Sequence, residues 1–127
     1  MTQRVLLIGQ DPDTVDFSDL ALPPGMDADK IRAGLALSAK QFADLGIELD
    51  TCMTDAGETA EAVVSAQLAG QSYDVVVIGG GLRLPAGNLL LFEKVVNAVH
   101  RHAPGAAIAF NTSPPDTANA AQRWLAR

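Results

Sequence analysis

Two short, unbroken apolar runs, Arg4-Val-Leu-Leu-Ile-Gly9 and Asp74-Val-Val-Val-Ile-Gly79, constrain this chain more than any other feature. A strand that alternates apolar and polar residues wets one of its faces, whereas a strand apolar at every position has to be covered on both. Strands of that kind belong to parallel sheets with helices above and below. The second run is made of β-branched residues and passes into Gly79-Gly80-Gly81, which places it at the centre of the sheet.

The intervening segments supply the helices. From Asp27 to Leu45 the residues Ile31, Leu35, Phe42 and Leu45 recur at helical spacing, with Ser38 in the one gap on that face, Asp27 as N-cap and Gly46 as stop. Ile47, Leu49, Thr51 and Met53 alternate with Glu48, Asp50, Cys52 and Thr54, the pattern of an edge strand that buries one face and wets the other. Asp55-Ala-Gly-Glu58 has capping-box spacing ahead of a second helix through Val63, Val64 and Leu68 to Gly70. Asn88 is placed to cap a third helix, Leu89 to Val99, with a prolyl stop at Pro104. Ala106 to Phe110 is the fourth strand, and Ser113-Pro-Pro-Asp116 opens a fourth helix running through Trp124. Residues 10–28 carry Pro12, Pro23, Pro24, Gly25 and several aspartates without periodicity, and are expected to form a long loop.

Alternating strands and helices with right-handed crossovers give an open, doubly wound parallel α/β sheet of four strands in the order 2-1-3-4. The expectation is one flavodoxin-like, three-layer domain over residues 1–127. In that order the chain reverses between strands one and three, and ligands of such sheets bind outside the carboxyl ends of the strands at the reversal. The crevice so nominated holds Gly9, Asp11, Gly80, Gly81, Arg83, Asn111 and Thr112, with Ser113 beside them. Arg83 is the one cation near this rim and helices two, three and four begin there, so a small anionic ligand is expected. The acidic loop is expected either to pair with Arg83 or to act as a lid. The competing expectation is a small hydrolase or isomerase using Asp11 or Asp13 as general base.

Composition narrows the partners. Nine Lys and Arg stand against fifteen Asp and Glu, a net charge of -6 that repels a phosphate backbone, so nucleic acid is not expected. Every apolar stretch is interrupted before the roughly 18 to 20 residues of a membrane span, so no membrane partner is expected. The single cysteine, Cys52, cannot form an internal disulfide, and the start of the chain lacks a signal-peptide core; both imply a cytoplasmic setting. Leu89-Leu-Leu-Phe92 is apolar around a full helical turn, more than one sheet face can cover, which points to a homodimer through helix three or four.

Familiar cofactor motifs are incomplete, and no cofactor is expected. Gly79 and Gly81 begin a dinucleotide fingerprint, but Leu84 stands where its third glycine belongs, and no Gly-Lys-Ser or Gly-Lys-Thr of a P-loop exists. The loop after strand one, Gln10-Asp-Pro-Asp-Thr-Val-Asp16, is acidic where flavodoxins hold the flavin phosphate. Asp11, Asp13, Asp16 and Asp19 miss the EF-hand pattern because Val15, Asp16 and Leu22 fall on its required positions. His100 and His102 lie at the far end of helix three, and Cys52, in a strand with no histidine nearby in sequence, reads as a buried small hydrophobe.

Asp74-Val-Val-Val-Ile-Gly79, with Asp11 and Asp13, resembles response-regulator receiver domains over about a third of the chain. The phosphorylated aspartate of that family is replaced here by Gly79, and the fifth strand with its lysine is missing. Asp16-Phe-Ser-Asp19, Pro23-Pro-Gly25, Val77-Ile-Gly-Gly80, Leu82-Arg-Leu-Pro85 and Ala109-Phe-Asn-Thr112 resemble a family of small bacterial proteins of unknown function, over nearly the full length. That resemblance implies a bacterial source and a self-standing domain, and brings no activity with it.

Overall fold

The computed structural model describes residues 2–125. Its four strands are β1 (Arg4–Gln10), β2 (Glu48–Thr54), β3 (Val75–Ile78) and β4 (Ala107–Phe110). All pair in parallel, in the order β2-β1-β3-β4. The helices are α1 (Ala28–Asp44), α2 (Ala60–Gly70), the single turn α3 (Gly80–Arg83), α4 (Leu89–His102) and α5 (Thr117–Gln122).

The sheet divides the core in two. On one face α2 and α4 cover Leu6, Ile8, Val76 and Ile78 with Val64, Leu68, Leu91, Val95 and Val99. On the other, α1 and α5 cover Val5, Leu7, Val75, Val77 and Ala109 with Phe42, Ala118 and Ala121. Val5 to Ile8 and Val75 to Ile78 are at most 2% exposed, so both faces of the two central strands are buried. Each such side chain contributes about 1.5–3 kcal/mol relative to exposure, and these eight positions tie both halves of the core together.

Three local expectations are corrected. In β2 burial does not follow the alternation: Cys52 is buried, as expected of a small hydrophobe, but Thr54 is buried too and Thr51 is exposed. The helix α2 lies over that end of the strand and takes Cys52 into its cluster with Ala60 and Val64. Asp55 does not form a box with Glu58. Its carboxylate instead accepts the Gly57 and Thr59 amides and the Thr59 hydroxyl, bonds that hold its pKa below the ordinary value, and Thr59 becomes the N-cap position of α2. Asn88 makes no side-chain cap on α4; its Nδ2 donates to Gln10 Oε1 at 3.0 Å and to the Gly81 carbonyl at 3.1 Å.

Two refinements matter for the rim. The glycines after β3 begin α3 directly, and the Ser113 and Asp116 capping box forms as expected, on a 3-10 turn (Pro114–Asp116) that leads into α5. Among the described residues no helix is long and apolar enough to cross a membrane.

Candidate ligand site at the C-terminal rim

The carboxyl ends of β1, β3 and β4 meet where Gly80 packs against the turn after β4. Asn111, buried at the end of β4, accepts the Gly80 amide on Oδ1 at 2.8 Å and donates from Nδ2 to Thr117 Oγ1 at 2.9 Å. A β-carbon on Gly80 would stand 2.8 Å from the Thr112 carbonyl oxygen, so only glycine allows this approach.

Below this junction, on the α1 side of the sheet, a cavity of about 60 Å³ opens to solvent. Its floor is the end of the sheet, with Leu7, Gly9 and Met53, and Ile31 and Leu35 of α1 form one side. The segment from Pro12 to Met26 forms the roof through Val15, Leu22, Pro23 and Met26. The glycine turn with Leu84, and the turn from Asn111 to Pro114, complete the rim.

Of the seven residues nominated from sequence, Gly9, Gly80, Gly81, Asn111 and Thr112 lie on this wall. Asp11 and Arg83 do not. Arg83 turns to the other side of β4, where it donates to the Asn111 backbone carbonyl at 2.7 Å and lies 5.9 Å from the centre of the Phe110 ring. Asp11 is used locally, its Oδ1 accepting the Asp13 amide at 2.9 Å. Asp13 pairs with Arg32 of α1 at 2.6 Å, so the loop carboxylate meets a helix cation and not Arg83. That contact favours the charged form of Arg32, chiefly through the Asp13 hydrogen bond.

The rest of the acidic loop is braced from within. Asp16 accepts from the Ser18 hydroxyl and amide, which lowers its pKa, and Asp19 accepts the Ala21 amide. These are the local turns that aspartate favours. Gln10 ties the loop to β1 by donating to the Thr14 carbonyl and hydroxyl.

Sequence reasoning found the glycine and asparagine edge of the cavity and missed its apolar part. The helical spacing of Ile31 and Leu35 marks them only as helix core. Leu22 and Met26 are apolar residues in a segment otherwise rich in Pro and Asp, and that mismatch was the available signal. Cys52 lies in the core beneath α2, where burial pushes its thiol pKa up. Among the described residues no three His, Cys, Asp or Glu are grouped so as to hold a metal ion. No family model matches the chain, and no curated protein matches it.

Proposed function

We propose that this chain is a small-molecule binding module whose site is the cavity beneath residues 12–26. One observation carries this reading: the cavity lies at the point where strand order reverses in a parallel sheet, the usual ligand position of open α/β folds. A hydrolase or isomerase has less support, since Asp11 and Asp13, its would-be bases, are engaged by the Asp13 amide and by Arg32 and are off the cavity wall. The test is a thermal-shift screen of uncharged and charged small molecules on the wild type and on Leu22→Asp. A ligand at about 100 times its Kd adds roughly 2.7 kcal/mol, enough to move the melting point by several degrees. The expected result is a shift present in the wild type and lost in the variant; hits that shift both alike count against the site.

We also propose that two copies associate through the α4 and β4 face. Leu89 and Leu90 are 65% and 63% exposed, and Phe110 at the edge strand is 39% exposed. Leu89, Phe92 and Val96 share one helix face by their spacing, and the Phe92 ring lies 5.9 Å from that of Phe110, so the apolar strip runs on to an edge strand that a second β4 can extend. Sedimentation at micromolar concentration should give about twice 13.3 kDa for the wild type and one chain for Leu89→Lys/Leu90→Lys. A reducing, bacterial cytoplasm is part of the same proposal, in keeping with Cys52 as a buried free thiol.

A further inference from the structure

Resting on the binding-module reading, we infer that the cavity takes an uncharged, predominantly apolar molecule of about the bulk of a small bicyclic aromatic, and not the anion that the rim's sequence suggests. Two independent features of the wall support this.

The first is that the guanidinium groups near the rim and the amides of Gly80, Thr112 and Ser113 are already used by the protein. The amides of Thr112 and Ser113 converge on the carboxylate of Asp116, which also accepts the Thr112 hydroxyl. The chain has thus placed its own anion in that nest. The Gly80 amide is taken by Asn111 Oδ1. Arg83 is bound to the Asn111 carbonyl and Arg32 to Asp13, and neither guanidinium is on the wall. An entering carboxylate or phosphate would lose its hydration and meet no free cation, which costs several kcal/mol.

The second is that each polar side chain of the wall already has a partner within the protein. Gln10 bonds Thr14 and Asn88, Asn111 bonds Gly80 and Thr117, Thr112 bonds Asp116, and Ser113 accepts the Asp116 amide in the capping box. Among the described residues, the buried polar side-chain atoms without partners, Gln41 Oε1, Thr54 Oγ1 and Arg83 Nε, all belong to residues off the wall. What remains facing the cavity is aliphatic and thioether surface, notably Leu22, Met26, Ile31, Leu35, Met53 and Leu84. Such surface gains from displacing water and offers little else. The size follows from the volume. At about 10–15 Å³ per water centre, 60 Å³ accommodates roughly four to six waters, room for one aromatic ring, and because the cavity opens to solvent the second ring of a small bicyclic can stand in its mouth.

The experiment is a titration of the full chain, followed by amide chemical shifts, with indole and with indole-3-carboxylate, a pair that differs by one charge. Variants Leu22→Asp and Val15→Asp put a carboxylate into the roof without touching either core cluster, and near-UV circular dichroism verifies their folding. Arg83→Ala is the third variant. The expected result is indole shifting the Gly80, Gly81 and Asn111 amides, indole-3-carboxylate binding at least about tenfold more weakly, and Arg83→Ala binding indole as the wild type does. Either roof variant that folds should weaken indole by about tenfold or more. Tighter binding of the carboxylate, lost in the roof variants or in Arg83→Ala, would overturn the ligand class and leave the site standing. Shifts absent from these amides, or untouched by both roof variants, would overturn the site itself.

Discussion

The side-chain oxygen of Asn111 accepts the backbone amide of Gly80, joining the exit of β4 to the exit of β3 across 31 residues of sequence. The same side chain donates to Thr117 at the start of α5, so one buried amide group registers three elements at the edge of the cavity. Asn111→Ala would leave the Gly80 amide and a Thr117 acceptor without their partners. A loss of about 1–3 kcal/mol is expected, since an unpaired buried polar group costs more than a hydrogen bond gains. Urea denaturation checks this: the midpoint should fall with the slope unchanged. Gly80→Ala should cost a similar about 1–3 kcal/mol by forcing the Thr112 carbonyl away.

Glycine to alanine should have opposite signs at two helical positions. Gly34 in α1 is buried, and a β-carbon there would stand 2.7 Å from Cβ of Pro114, where Ser38 also bonds the Pro114 carbonyl. Alanine ordinarily favours a helix over glycine by about 0.5–1 kcal/mol, but overpacking costs about 1–3 kcal/mol, so Gly34→Ala is expected to destabilise and to displace the Pro114 edge of the cavity. Gly70 ends α2 with nothing within 4 Å of such a carbon, so Gly70→Ala should stabilise by some tenths of a kcal/mol up to about 1. Paired thermal melts decide the signs.

The parts of this fold legible in the sequence are those that one physical demand determines. Val5 to Ile8 and Val75 to Ile78 had to be covered on both faces, and strand order and layer count followed. The wet face of β2 was not legible, because it depends on where α2 lands on an edge strand, and that landing places Cys52 inside and Thr51 outside. The side chains of Asn88 and Asp55 were near helix starts, yet each had other donors or acceptors within reach, and tertiary packing chose among them. Arg83 chose a backbone carbonyl, a partner present at every residue and so without any trace in sequence. The cavity roof has no period by which Leu22 and Met26 could be assigned a face.

Alkaline pH should weaken the fold through Tyr73. Its hydroxyl donates to Asp50 Oδ2 at 2.7 Å and accepts from Gln67 at 2.6 Å, and the side chain is 7% exposed. Burial first, and then the Asp50 carboxylate, push its pKa from 10 up to about 12. The folded chain therefore holds this proton more tightly than the unfolded chain. The resulting stability is complete below pH 10 and is lost as pH rises to about 12, by an amount on the order of 2 kcal/mol. Tyr73→Phe lacks this dependence, so the gap in unfolding free energy between wild type and variant should narrow over that window. A gap constant from pH 9 to about 12 would show that the phenol titrates normally.

The contact between Arg32 and Asp13 should control access to the cavity more than it controls stability. It joins α1 to the start of the roof at 2.6 Å, but both side chains are largely in solvent, where an ion pair is screened and contributes little to the global fold. The roof has few other ties: Gln10 holds it at Thr14, Lys30 of α1 donates to the Gly25 carbonyl near its far end, and between them Val15, Leu22 and Met26 rest on the cavity. Arg32→Ala should therefore leave the urea midpoint nearly unchanged, while amide exchange across residues 14–22 and indole association and release all become faster. Salt at about 1 M should bring the wild type towards the variant, because the Debye length there is only about 3 Å. If the variant exchanges like the wild type at low salt, the roof is held by its other contacts, and the ion pair has no part in admitting a ligand.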